Sequence, residues 1–185
     1  MRQFDFGRFN GFMHHRLNDL LLSDVWNFDV FNESDLHSAA HGYIRSFFQR
    51  NGRSNIYVRC EPRLAGMKPD IVIFDRGNPI YTVEFKFFTK QDYVNEEAVF
   101  KDLEKLAKVV NRFGSMKWGF FYLVHDSEDS YTFPNPALRK RGYENISVST
   151  INVRRKEGTG RRRTNYDDWR KEFDRLIAQH REHAA

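Results

Sequence analysis

Apolar residues recur along this chain in two periods, and the points where one gives way to the other mark the expected elements. Leu36, Ala40, Tyr43, Ile44, Phe47 and Phe48 fall three and four apart, the spacing of a single helix stripe, so a helix is expected from Ser34 to the turn sequence RNGRSN. Upstream, HHRLNDLLLSDVW carries a shorter helical period and predicts one extra helix within residues 1–31. His14 and His15 in it are adjacent, hence on different helix faces, and read as surface residues rather than ligands. Downstream, IYVRCE reads as a strand. The stretch KPDIVIFDRGNPIYTVEFKFF, residues 68–88, alternates on both sides of a DRGNP turn and predicts a β-hairpin. Helical spacing returns in EEAVFKDLEKLAKVVNRFG, closing on Gly114, and KWGFFYLVH has the length and composition of a buried strand. A Pro-rich turn, a short basic helix near Ala137 and the strand ISVSTINV follow. The last helix is expected to start at Thr164, with Asp167 three residues on in a capping-box pattern, and to bury Trp169, Phe173, Leu176 and Ile177. The order is helix, three strands, helix, strand, then additions. It predicts an α/β fold around a mixed central sheet: a helical extension over 1–31, a core over 32–125, and a basic strand and helix over 126–185, all in a single domain.

The polar positions of the hairpin are the first hint of chemistry. With the turn centred on Gly77, Asp70 is expected opposite Glu84, Val72 opposite Thr82 and Phe74 opposite Ile80. Lys86 shares their face because strand side chains alternate with period two. Directly opposed residues have Cβ atoms roughly 4.5–5.5 Å apart, and two carboxylates that close repel unless a positive charge lies between them. Hard oxygen ligands of this kind suit Mg²⁺, with Mn²⁺ able to substitute, because such ions keep several waters and also bind phosphate oxygens. The alternative is structural: Asp70 begins a strand after Pro69, and Glu84 with Lys86 forms a solvated pair on the outer face of a sheet whose other face holds Ile71, Ile73, Tyr81, Val83 and Phe85.

Composition narrows the class. The 40% hydrophobic content, with 18 Phe, exceeds that of disordered chains, so a packed core is expected. The single cysteine, Cys60, cannot form an internal disulfide and has no zinc-ligand pattern around it. MRQFDFGRFNGF lacks a basic region followed by an apolar one, and no stretch approaches 18 apolar residues. A cytoplasmic protein that does not span a membrane is expected.

The net charge of +5 is unevenly placed: residues 1–133 hold 17 Lys/Arg against 18 Asp/Glu, whereas residues 134–185 hold 13 against 7. RKR (139–141) and VRRKEGTGRRR (153–163) concentrate the excess. Arg154, Arg155, Lys156, Arg161, Arg162 and Arg163, around the flexible Gly158 and Gly160, are candidate contacts to a polyanion, because Lys and Arg that neutralise phosphates release counterions. A solvated loop is the alternative.

Pro69-Asp70, thirteen intervening residues and then Glu84-Phe85-Lys86, set between a helix-plus-strand and a second helix, resemble the PD-(D/E)XK nuclease superfamily, and the resemblance covers roughly residues 32–125. It implies a restriction-endonuclease-like core and a Mg²⁺-dependent nuclease acting on DNA. Asp70 and Glu84 would be metal ligands, with the Phe85 backbone carbonyl as a further one. Lys86 would orient or help deprotonate the attacking water and stabilise the charge developing on phosphorus. Many members carry another carboxylate near the start of the first helix, and Glu33 is the match here; helix capping explains it as well. Glu61, at the end of the first strand, is a second candidate ligand, while Asp35 reads as a first-turn helix acid. Lys101, Asp102 and Lys105 begin the helix expected to flank the site, and the two lysines are candidate phosphate contacts; an i, i+4 charged helix face is their alternative. The pattern does not separate a restriction endonuclease from a junction resolvase or a repair exonuclease, and it leaves the oligomeric state open, a homodimer included. A non-catalytic nucleic-acid-binding subunit, its acids held in salt bridges, is the reading from a different class.

Overall fold

A computed structural model describes residues 5–88, 94–127, 143–154 and 165–183. The chain is α/β: a five-stranded mixed sheet flanked by helices. Its strands are β1 (Ile56–Cys60), β2 (Ile71–Asp75), β3 (Asn78–Phe88), β4 (Trp118–His125) and β5 (Ile146–Asn152). They lie side by side in chain order, antiparallel from β1 to β3 and parallel from β3 to β5. A parallel β3–β4 pair needs a long crossover, and α4 (Glu96–Arg112) provides it.

The helical stripe read from Leu36 onward forms α3 (Glu33–Arg50), whose Leu36, Ala40, Ile44 and Phe48 are buried. Asn32 caps it, its side chain accepting from the Asp35 N–H, and Asp35 Oδ2 accepts from the Phe31 N–H at 3.0 Å. Asp35 is thus a helix-terminus acid, as its position suggests. The N-terminal extension is longer than its period indicates. Helix starts at Phe6 rather than at His14, running as α1 (Phe6–Gly11), a π-helical turn (Phe12–Arg16) and α2 (Leu17–Trp26). The π turn shifts the helix phase, which breaks the simple stripe in the sequence. The Met13 carbonyl within it accepts the hydroxyl of the buried Tyr122 at 2.6 Å. His14 and His15 are exposed.

Two apolar clusters fill the space on either side of the sheet. On one side α1, α2, α3 and the final helix α5 (Tyr166–His183) pack against Ile71, Ile73, Tyr81, Val83 and Phe85. Phe9, Val153 and Phe173 belong to this same cluster, so both extensions are built into the main core. On the other side α4 lays Val99, Leu103, Leu106 and Val110 against Phe121, Leu123 and Ile146. Gly119 permits that approach, since a Cβ there would meet Leu106, Val110 and Ile146 side chains at 2.9 Å.

The β2–β3 turn is Arg76-Gly77, both with positive φ (50° and 85°), the conformation of a two-residue type I′ hairpin. The expected pairing of Val72 with Thr82 is present, but Phe74 lies opposite Pro79 rather than Ile80, because the register shifts between Ile73 and Phe74. An irregularity there absorbs one residue and leaves the far end of the hairpin in the expected alignment. The basic helix expected near Ala137 and the Thr164 cap lie outside the described residues.

Candidate functional site

The site is built where β2 begins and β3 passes under α4. Ile71 pairs with Val83 and Val72 with Thr82, so Asp70, one residue ahead of β2, comes opposite Glu84. The odd residues of β3 face the core under α3, which turns Thr82, Glu84 and Lys86 toward α4. Asp70 is 9% exposed and Glu84 only 1%. Two carboxylates are thus carried, on one face, out of contact with most of the solvent.

Their immediate partners come from helices distant in sequence. Asp70 Oδ2 accepts the Phe85 N–H at 2.8 Å and lies 3.2 Å from His37 Nε2 of α3. Glu84 Oε2 lies 2.5 Å from Lys105 Nζ of α4. Lys86 Nζ lies 2.9 Å from Asp102 Oδ2 and 3.7 Å from Glu33 Oε2. The far oxygen of Glu84, Oε1, is buried and has no hydrogen-bond partner. Leaving a buried acceptor unsatisfied costs about 1–3 kcal/mol, more when the group is charged, so this oxygen is where the site lacks a positive or hydrogen-donating neighbour.

Protonation follows from these contacts. Burial and the adjacent Asp70 carboxylate push Glu84 up to about 9, against the pull of Lys105. Burial also pushes Asp70 upward, but His37, the Phe85 N–H and Lys105 outweigh it and hold Asp70 below the ordinary Asp value. Lys86 and Lys105 both move up despite burial, Lys86 chiefly through Asp102 and Glu33, Lys105 chiefly through Glu84. The two carboxyls of one face are thereby driven apart in acidity, a pattern found where groups are tuned for chemistry.

Of the residues picked out in the sequence, Asp70, Glu84, Lys86, Lys105 and Glu33 gather here. Glu33 is not the cap of α3, a role Asn32 fills; its side chain reaches Lys86 instead. Phe85 contributes its N–H to Asp70. Glu61 turns aside with φ of 46° and pairs with Lys68 at 2.7 Å in a half-exposed ion pair. Lys101 is exposed on α4. Arg154 lies at the opposite end of the fold from the hairpin turn, its guanidinium 4.6 Å from the centre of the Tyr166 ring. Arg155, Lys156, Arg161, Arg162 and Arg163 lie outside the described residues.

His37 was not visible as a site residue in the sequence. The signal was its place four residues after Glu33, on the same helix stripe. Asp102 was visible as part of the flanking helix but not as the partner of Lys86.

Among the described residues, no group of three or more His, Cys, Asp or Glu is arranged to hold a metal ion, and no helix is long and apolar enough to cross a membrane. Two protein carboxylates with water completing the shell is nevertheless a common way to hold Mg²⁺, and the orphaned Glu84 oxygen fits a hard cation. The chain matches no protein-family model and no curated protein.

Proposed function

We propose that this protein is a metal-dependent nuclease that hydrolyses phosphodiester bonds in DNA, built on a restriction-endonuclease-like core of the PD-(D/E)XK kind. The observation that carries the reading is the juxtaposition of buried Asp70 and Glu84, with Glu84 Oε1 buried and without a hydrogen-bond partner, beside a lysine held by two further acids. The element order, with Asp70 entering β2 and Glu84 and Lys86 on β3, supports it.

Asp70 and Glu84 would hold Mg²⁺ or Mn²⁺, which would polarise a phosphoryl oxygen and acidify a bound water. The chain's own residues set the rest of the geometry. His37 and the Phe85 N–H fix the Asp70 carboxylate. Asp102 and Glu33 hold the Lys86 ammonium on the same face as Glu84, where it can donate to the water or to a phosphate oxygen as negative charge develops. Lys105 Nζ lies against Glu84 Oε2 and would be available to a phosphate oxygen if a cation were held at that carboxyl.

The test is incubation of supercoiled, linear, single-stranded and branched DNA with Mg²⁺, Mn²⁺ or EDTA. Cleavage is expected with either ion, none with EDTA, and none from Asp70→Asn. Lys86→Ala is expected to lower the rate on the order of a hundredfold while leaving DNA affinity nearly unchanged, because its contact strengthens in the transition state. Cleavage by Lys86→Ala at the wild-type rate would remove that residue from the mechanism.

The Glu84–Lys105 pair at 2.5 Å also favours a second reading, a DNA-binding subunit whose acids are purely structural. It predicts that all four substrates stay intact under every metal condition while binding persists.

A further inference from the structure

β1 borders the sheet, with β2 its only strand neighbour among the described residues. Glu61 donates its N–H to the Asp70 carbonyl at 2.8 Å, and the Asn55 carbonyl accepts from the Arg76 N–H at 3.1 Å. Hydrogen-bonded pairs alternate along an antiparallel ladder. With Tyr57 opposite Phe74 and Arg59 opposite Val72, the odd residues of β1 therefore direct their backbone groups at β2, and the even ones, Ile56, Val58 and Cys60, direct theirs outward. Of these, the Ile56 N–H is bonded to the Arg53 carbonyl at 3.4 Å and the Val58 carbonyl to His41 Nε2 at 3.2 Å. The N–H groups of Val58 and Cys60 and the carbonyls of Ile56 and Cys60 have no backbone partner among the described residues. A carbonyl has two lone pairs, so Val58 keeps one acceptor site as well. An edge of alternating open donors and acceptors is a template for another strand.

A groove of about 390 Å³ runs beside this edge. Ile56, Tyr57, Val58 and Arg59 border it in succession, although side chains of a strand alternate between its two faces; the groove therefore follows the backbone of β1. Ile56 and Val58 face α3 and the core. On that side Arg45 and Gln49, both exposed and one turn apart on α3, form the other wall. Tyr57 and Arg59 lie on the opposite face of the sheet, and both are exposed. A strand added here would meet one cation on each of its faces, Arg45 and Arg59, and no acidic residue lines the groove. The complement of this edge is an extended chain that carries carboxylates. Nucleic acid fits it less well, because backbone phosphates only accept and leave the Ile56 and Cys60 carbonyls unmet. A second copy of this chain would bring another Arg45 and no acid to the same groove.

We infer that the open edge of β1 takes up an acidic, extended peptide segment of a partner protein as an additional strand, its carboxylates reaching Arg45 on one face and Arg59 on the other. The inference is independent of the nuclease reading, which uses none of these residues.

The test is fluorescence anisotropy of a labelled peptide of alternating valine and glutamate with the full chain at low salt. Circular dichroism checks that each variant is folded. The peptide is expected to bind, and its valine–lysine counterpart to bind more weakly by about tenfold or more. The same acidic peptide with every amide N-methylated, equal in charge but unable to donate, is expected not to bind; this arm needs no variant. Cys60→Pro removes an outward N–H and leaves the ladder to β2 intact, and is expected to weaken binding on the order of tenfold. Arg45→Ala and Arg59→Ala are each expected to weaken it about threefold. The inference is overturned if the wild type does not bind the acidic peptide, if the methylated peptide binds as the plain one does, or if Cys60→Pro or both arginine variants bind as wild type. Displacement by an oligonucleotide as effective as by unlabelled peptide would make the edge a general polyanion surface. A chain that sediments as a dimer and is split by Cys60→Pro would make the occupant a second copy. Either result also overturns it.

Discussion

Glu84 is held in a place that disfavours its charge, and this has a consequence for stability as well as for chemistry. Its folded-state value, near 9, lies above the ordinary 4.5, so between those values the folded chain keeps a proton that the unfolded chain releases. Stability linked to this group is present at low pH and falls as pH rises through that window. In EDTA, Glu84→Gln is therefore expected to be more stable than wild type at pH 8, by about 1–3 kcal/mol, with the gain disappearing near pH 4.5. Urea unfolding at the two pH values measures it, and an equal difference at both would show that Glu84 is not desolvated as described. The residue itself was legible in the sequence. Period-two alternation about Gly77 is enough to set Asp70, Glu84 and Lys86 on one face, because side-chain direction in a strand is a local property. The depth of burial was not, because it depends on α4 crossing above.

At the scale of elements, α4 does two jobs: it buries Leu103, Leu106 and Val110 against the sheet and it delivers Asp102 and Lys105 to the carboxylate face. Both depend on the close approach over Gly119. Gly119→Ala places a Cβ 2.9 Å from three side chains in a filled interface, and a cost of about 1–3 kcal/mol is expected. Thermal unfolding checks it, and a variant with unchanged midpoint would mean that the interface has slack. The order of elements was readable from periodicity, since helix stripes and strand alternation are written within each segment. Two details were not. The π-helical turn at Phe12–Arg16 shifts the phase of the first helix, and the irregularity at Ile73/Phe74 shifts one end of the hairpin. Each is a defect in a regular period, so period alone places it wrongly.

On the scale of the whole molecule, charge counted along the chain differs from charge arranged in space. Residues 1–133 are nearly neutral by count, yet Arg45 and Arg59 stand on the two sides of one sheet edge, with no acid lining the groove beside it. In the basic C-terminal part, Arg154 stacks on Tyr166, while Arg170 pairs with buried Asp126, which also accepts the Tyr166 hydroxyl at 3.0 Å. These contacts fasten α5 to the end of β4. Asp126→Ala leaves Tyr166 and Arg170 without that acceptor, and a loss of about 2 kcal/mol is expected after allowing for the partial exposure of Arg170. Glu172→Ala, which breaks the exposed pair with Arg175, is expected to leave the midpoint unshifted in the same thermal unfolding series. Equal effects from the two substitutions would count against the clamp.

The sequence by itself determined the order of helices and strands and the common face of Asp70, Glu84 and Lys86, because both follow from the 3.6- and 2.0-residue periods of single elements. Only the tertiary structure decided that His37 meets Asp70, that Lys105 meets Glu84 and Asp102 meets Lys86, and that Arg45 stands beside the open edge of β1. Those meetings depend on where α3 and α4 rest on the sheet, and that placement is fixed by the summed packing of many apolar side chains, which leaves no signature at the polar residues it brings together.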